Sequence, residues 1–281
     1  MIIKAVQQFQ LRSVIGKESQ ARDTLQKMKE VGYDGIELND FMINRMSLAV
    51  RLLCRVAGMP IGKSGNLNWE KLVKESRLKV VSLHKDLNGI INNPHKVIEE
   101  AKTFDTKNIV VTGMRHFDYS NKQAVIELID KLNKAGKLLL DGGIAFLYHN
   151  HNCEFRKVEA KKSAYELIIE RTDPKYVNFE FDSYWAAEAG CDVLELMKTL
   201  DRRLKLYHIN DRGTRITGAT GSIVKSDSIE LGYGNMNLIA MVEIAKKNGV
   251  EAIILESHKN WIHKSPIKSF QLSAEFMNKN I

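Results

Sequence analysis

Four prolines and three cysteines in 281 residues leave this chain with few covalent or rigid staples. Cys54, Cys153 and Cys191 are odd in number, widely spaced and in no CxxC pair, which suits a reducing compartment better than a disulfide framework. No apolar run approaches the roughly 20 residues needed to span a bilayer. The opening MIIKAVQQFQLRS also lacks the long apolar stretch of a secretory signal. These absences lead to an expectation of a cytoplasmic protein without a membrane partner. No repeat, low-complexity tract or Pro/Ser-rich linker divides the chain, and with 44% hydrophobic and 27% charged residues it can bury a sizeable core. Residues 1–281 read as a single domain.

Charge of one sign is not scarce. Lys and Arg outnumber Asp and Glu by 42 to 34, for a net charge of +8, and such an excess attracts phosphates. Here, however, the basic residues alternate with acidic ones on amphipathic stretches such as ARDTLQKMKEVG (21–32) and KKSAYELIIERTD (161–173). They read as solvated helix faces, so no nucleic-acid partner is expected, while a small anionic substrate stays compatible.

Strand-like and helix-like segments alternate from end to end. Strands are expected at 3–11, 33–38, 79–84, 108–114, 145–150, 177–182, 204–209 and 251–257. Helices are expected near 18–31, 43–57, 93–103, 120–138, 161–171, 192–200, 236–248 and 264–279, where apolar residues recur at three- and four-residue spacing. Gly32, Gly136 and Gly249 mark helix ends. Eight of each element predicts an α/β fold, a single (β/α)8 TIM barrel. Two connections are long: 58–70, and 211–234, whose Gly/Thr/Ser-rich sequence predicts a lid over the catalytic rim.

Ionisable residues collect where the later apolar runs end: FLYHNHNCEF (146–155), VNFEFDSYW (177–185), LKLYHIND (204–211) and AIILESH (252–258). Closing these strands into one sheet converges His149, Asp182, His208 and Glu256 on one rim. Imidazoles and carboxylates are the ligands of Mn²⁺, Zn²⁺, Co²⁺ or Fe²⁺ sites, and two of each leave positions open for a substrate's vicinal oxygens. One divalent metal of this group is therefore expected. In VNFEFD, Val177, Phe179 and Phe181 share one face and Asn178, Glu180 and Asp182 the other. A carboxylate such as Glu256 at the end of AIIL is expensive to bury without a cation or hydrogen bonds. His151 shares a face with His149, and Glu154 follows. His84, Trp185 and Glu37 sit at or just past strand ends and are expected on the substrate wall. Lys85, Arg115, Arg212 and Arg215 lie on rim loops, with Arg212 a candidate for a substrate anion.

These residues also carry a resemblance. The run Tyr148-His149-Asn150-His151-Asn152-Cys153-Glu154-Phe155 is similar to the YHNHxxEF motif of one branch of the xylose isomerase-like TIM barrels, the sugar phosphate isomerase/epimerase superfamily. QQFQLRS (7–13), GYDGIEL (32–38), VVSLH (80–84), FDSYWAAEAGCD (181–192), YHIND (207–211) and ELGYGNMN (230–237) resemble further motifs of that branch, over nearly the whole chain. The resemblance implies four ligands to one divalent metal from the fifth to eighth strands, commonly two Glu, one Asp and one His. Asp182, His208 and Glu256 match three positions, and His149 occupies the fourth, where a Glu is common. It also implies paired acid/base groups, with Glu256 as ligand and base and Glu154 or His151 as its partner, or Glu154 as the fifth-strand ligand in place of His149. Asn210 stands where the branch generally has Lys, and an amide can only hydrogen-bond.

The implied activity is isomerisation or epimerisation of a small sugar or keto sugar, by proton abstraction next to a metal-bound carbonyl through an enediolate. The alternative is a metal-dependent lyase or dehydratase of a keto sugar or 3-keto-glycoside. An endonuclease IV-like nuclease fits less well, because Ser183, Tyr184 and Trp185 stand where it needs a second His, and Ser226-Asp227-Ser228 where it needs DxH. A non-catalytic sugar-binding barrel is the remaining rival. The expected partner is a small carbohydrate, and a homo-oligomer is compatible with the sequence.

Overall fold

The computed structural model describes residues 1–44, 64–114, 116–215 and 224–281. Eight parallel strands close into a barrel: β1 (Ile3–Gln7), β2 (Gly35–Asn39), β3 (Lys79–His84), β4 (Asn108–Thr112), β5 (Ala145–His149), β6 (Val177–Asp182), β7 (Leu204–Ile209) and β10 (Ala252–Leu255), with β10 between β7 and β1. Between the last two lies a two-stranded antiparallel ribbon, β8 (Asp211–Gly213) with β9 (Asp227–Ile229). Every expected barrel strand has its counterpart. The first is shorter than the apolar pattern suggests, because the Gln7 side chain accepts a hydrogen bond from the Phe9 amide and turns Gln8–Leu11 into a 3-10 helix.

Helices follow most strands, at Glu18–Glu30, Trp69–Ser76, Leu87–Asn92, Pro94–Thr103, Lys122–Leu140, Ala164–Arg171, Val193–Leu200, Leu238–Asn248 and Pro266–Asn280. Most are fixed by local chemistry as well as by an apolar stripe, the Glu18–Glu30 and Pro94–Thr103 helices starting without a side-chain cap. Asn68, Asp86, Asn121, Asp192, Asn237 and Ser265 accept a backbone N–H at their helix starts, and Ser163 and Glu166 form a reciprocal capping box. Gly136 does not end its helix. The helix runs on to Leu140, and a Cβ at Gly136 would lie 2.2 Å from the Tyr176 carbonyl oxygen, so the glycine permits a close approach. Most of the helix expected at 43–57, part of the 58–70 connection and residues 216–223 of the expected lid lie outside the described residues. Among the described residues, no helix is long and apolar enough to cross a membrane.

Two compact units are distinguishable. One comprises Met1–Ile2, Ser82–Ile209 and Asn237–Ile253; the other Ile3–Val81, Asn210–Met236 and Ile254–Ile281. In the first, the outward face of β6 is apolar, as its alternation predicts. Tyr165 packs on Phe179 at 5.8 Å, and the Arg203 guanidinium covers the same ring at 4.7 Å while donating to the Ile169 carbonyl and the Thr172 hydroxyl, each at 2.6 Å. In the second, Tyr33 is fully enclosed, stacks edge-on against Phe270 and donates to its carbonyl at 2.9 Å.

Candidate metal centre

Strand register brings the ionisable side chains of the first unit together. His149 pairs with Glu180 across β5 and β6, and Asp182 with His208 across β6 and β7. All four side chains are buried. Glu180 lies at the middle of an imidazole cluster: its Oε2 is 3.0 Å from His149 Nδ1, 3.1 Å from His84 Nε2 and 3.3 Å from His208 Nε2. Burial works to raise its carboxyl, but the charges of His208 and His84 and the closeness of the His149 ring outweigh burial and hold it well below the usual carboxylate range. His84 is engaged at its other nitrogen too, with the Thr112 hydroxyl 3.0 Å from Nδ1.

Asp182 is positioned by backbone chemistry. The Asn150 amide bridges strand ends, donating to the Asp182 carbonyl at 3.1 Å and accepting from the Asp182 amide at 3.0 Å. Asp182 Oδ1 then caps the Ser183–Glu188 helix by accepting from the Trp185 amide at 3.0 Å. Its Oδ2 is 3.9 Å from His208 Nδ1. His149, Asp182 and His208 thus offer ligand-type atoms within 4.8 Å of one another, as do His84, Glu180 and His208. Two imidazoles and a carboxylate suit a borderline divalent ion such as Zn²⁺ or Mn²⁺.

The segment after β5 divides its two candidates. His151 is half-buried, edge-on to His149 at 5.2 Å and to Trp185 at 5.7 Å. Glu154 is fully buried and its oxygens are occupied: Tyr148 Oη donates at 3.2 Å, the His151 amide at 3.0 Å and Cys153 Sγ at 3.1 Å. Tyr119 Oη, 2.9 Å from Tyr148 Oη, extends the chain and accepts from the Met114 amide at 2.7 Å. Glu154 belongs to neither buried group of ligand-type residues described above.

In the second unit, Glu37 is fully buried in β2 and in register with Gln7 of β1. Asn210 is buried, and its side-chain oxygen accepts from the Asp211 amide at 2.9 Å. Asp211 accepts from the amides of Arg212, Gly232, Gly234 and Met236 at 2.8–3.2 Å, which shapes the turn before the next helix. Arg212 is half-buried and Arg215 is paired with Glu230. Glu256, 6% exposed, directly follows β10 and has His258 Nε2 3.5 Å from its Oε1. In the first unit Lys85 is bound to Glu100 at 2.6 Å, and Arg115 lies outside the described residues.

Glu180, Asn150 and Thr112 were not among the sequence candidates. Glu180 had a readable signal, since it shares a strand face with Asp182 and interrupts an apolar run. Asn150 and Thr112 had none, because their partners lie on neighbouring strands.

Comparison with known proteins agrees with this architecture. The family model for the xylose isomerase-like TIM barrel matches residues 25–280. An inosose dehydratase of Mesomycoplasma hyopneumoniae (strain 7448) is 34% identical over 93 residues, which is 33% of this chain and only 30% of that protein's length. Among solved structures, a sugar phosphate isomerase/epimerase from Parabacteroides distasonis ATCC 8503 superposes with a TM-score of 0.76 at 20% identity, over 98% of this chain and 93% of that one. A xylose isomerase-like TIM barrel protein from Mycobacterium smegmatis, in complex with magnesium, gives 0.67 at 14% identity, over 99% and 95%.

Proposed function

The chain belongs to the xylose isomerase-like TIM barrel family, and on that footing we propose that it is a divalent-metal-dependent isomerase or epimerase of a small sugar or keto sugar. The observation that carries this reading is the set of three buried donors, His149, Asp182 and His208, brought together from three consecutive strands. Glu256, at the end of the strand next to β7 in the barrel order, is the proposed fourth ligand. When bound, the ion supplies Lewis acidity to a substrate carbonyl and its adjacent hydroxyl, acidifying the carbon-bound proton between them.

The acid/base partner of Glu256 is proposed to be His151 rather than Glu154. His151 is half-buried and stands beside Trp185, a flat apolar surface suited to a sugar ring, whereas both oxygens of Glu154 accept hydrogen bonds inside the protein. Glu37, Asn210 and Arg212 are retained as proposed polar contacts to substrate hydroxyls or an anionic group. His84, whose Nδ1 meets the Thr112 hydroxyl and whose Nε2 lies 3.1 Å from Glu180 Oε2, is proposed as support for the centre. The free thiols Cys153 and Cys191 favour a reducing, cytoplasmic setting.

A second reading, dehydration of a keto sugar, is favoured by the partial match to inosose dehydratase and by an imidazole in place of the second carboxylate. An imidazolium can protonate a departing β-hydroxyl. Incubating the protein and Mn²⁺ with a panel of keto sugars in D₂O separates the two. Isomerase chemistry places solvent deuterium at one carbon, and dehydration yields an absorbing enone. Neither signal with any substrate, or ion uptake unchanged in the double variant Asp182→Asn/His208→Gln, would overturn the catalytic reading.

A further inference from the structure

We infer that Glu154 is a positioning residue: its buried carboxyl holds the backbone of His151, and through it the imidazole, in place beside Trp185. The inference rests on the reading above for the acid/base role of His151, but not for the contact itself.

A carboxyl inside a protein is stable only where donors meet its oxygens. Glu154 is fully enclosed, and three donors reach it. Tyr148 Oη donates to Oε1 at 3.2 Å, while the His151 amide and Cys153 Sγ donate to Oε2 at 3.0 and 3.1 Å. The bond to His151 runs back three residues, as the glutamate of a capping box returns to the amide that precedes its turn. It closes over the 3-10 turn Cys153–Phe155, in which the Phe155 amide donates to the Asn152 carbonyl and the Arg156 amide to the Cys153 carbonyl. Residues 151–154 are thereby tied into one loop.

The other carboxyl oxygen fastens that loop to the barrel. Through Tyr148, on β5, Oε1 is linked to Tyr119 Oη 2.9 Å further on, which accepts from the Met114 amide at 2.7 Å. The Gly113 amide extends the β4–β5 ladder by donating to the His149 carbonyl at 3.1 Å. A Cβ at Gly113 would collide with Oε1, so the glycine leaves the room that the carboxyl fills. The anchor therefore sits on two strand ends, whereas the ring it serves is half-buried and edge-on to His149 and Trp185. Misplacing a reacting group by about 1 Å costs about 100-fold in rate, so a backbone anchor has catalytic weight without touching substrate.

Holding an amide needs an acceptor, whereas binding a metal or moving a proton needs a carboxylate. Glutamine and methionine at position 154 separate the two. Glutamine keeps one acceptor for the His151 amide and can turn its NH₂ to Tyr148 Oη; methionine has a similar length and only a weak acceptor.

Three measurements test this: exchange of the His151 amide, Zn²⁺ affinity against a chromophoric chelator, and kcat on whichever keto sugar of the panel above gives a signal. In Glu154→Met the His151 amide is expected to exchange about 10-fold faster, the scale of one lost hydrogen bond. Its kcat is expected to fall about 10–100-fold, with Zn²⁺ affinity near wild type. Glu154→Gln is expected to stay within about threefold of wild type in all three, and Glu154→Met to cost nothing further in a His151→Ala background. A Glu154→Gln variant as impaired as Glu154→Met, a matching loss of Zn²⁺ affinity, or additive losses with His151→Ala overturn the inference. If Glu154→Met does not fold, Glu154→Gln and wild type decide: a wild-type His151 amide that exchanges as an unprotected one overturns it. Protein that turns over no sugar refutes the acid/base reading, and the exchange data alone then judge whether Glu154 holds His151.

Discussion

Cys153 and Glu154 are neighbours in sequence and share a hydrogen bond at 3.1 Å, and this contact shapes the chemistry of both. Burial, then the Glu154 charge, pushes the Cys153 thiol up to about 12. Because the thiolate is the reactive form, roughly one molecule in ten thousand carries it at pH 8. Iodoacetamide at pH 8 is therefore expected to alkylate Cys153 at least about 100-fold more slowly than free cysteine, with the rate climbing as pH approaches 12 and rising in Glu154→Gln. Mass spectrometry of timed digests reads this directly, and labelling at the free-cysteine rate would show that Glu154 does not hold the thiol. The same buried position sets Glu154 apart from His151, the proposed acid/base. His151→Ala is expected to lower kcat by about 10²–10⁴-fold, the usual contribution of a general acid or base, while Zn²⁺ affinity stays near wild type. An equal loss of Zn²⁺ binding would instead make His151 a ligand.

At the level of elements, the tip of β5 is tied to the tip of β6 by one side chain. Asn150 closes two hydrogen bonds to the Asp182 backbone, and Asn150→Ala leaves a buried amide and carbonyl without those partners. The expected cost is about 2–4 kcal/mol at the usual penalty per unsatisfied group, measured as a lower urea midpoint with unchanged slope. A midpoint within error of wild type would mean that the strand ladder alone places Asp182. The turn after β9 offers a second check. A Cβ at Gly234 would lie 2.3 Å from Asp211 Oδ1 and 2.6 Å from the Arg212 carbonyl oxygen. Gly234→Ala therefore forces Asp211 off at least one of the amides it accepts from, at an expected cost of about 1–3 kcal/mol, again read by urea unfolding.

For the molecule as a whole, the expectation of one domain bears on how it unfolds. The division between the two compact units runs through β3 after Val81 and through β10 after Ile253. A strand cannot keep half of its ladder while the other half melts without exposing unpaired backbone groups. We therefore expect a single calorimetric transition, and two resolved transitions would make the units separate domains. Metal occupancy should shift that transition. An ion that binds only the folded chain adds about 2.7 kcal/mol at a free concentration 100 times its Kd, which for a chain of this size raises Tm by about 5 °C. Thermal scans with Zn²⁺ or Mn²⁺ against EDTA measure it, and identical curves would count against a structural ion in the native fold.

The alternation of apolar and helical periods was enough to specify a closed eight-stranded α/β barrel, because every barrel strand had to bury a face and every helix a stripe. The strand-end His and Asp residues were legible for the same reason: charged groups at the close of apolar runs have no cheap place but a shared site. Three features were beyond its reach. Glu180 carries the right face parity, but only the packing of β3, β5 and β7 around it supplies the three imidazoles. Glu154 looks like a free carboxylate in a motif until Tyr148, Cys153 and the His151 amide close on it. Asn150 matters because its amide spans two strand tips. Periodicity is a one-dimensional property set by the repeat of a single element, whereas the partner of a buried polar group is chosen by register and ring orientation across several elements, and these exist once the chain has folded.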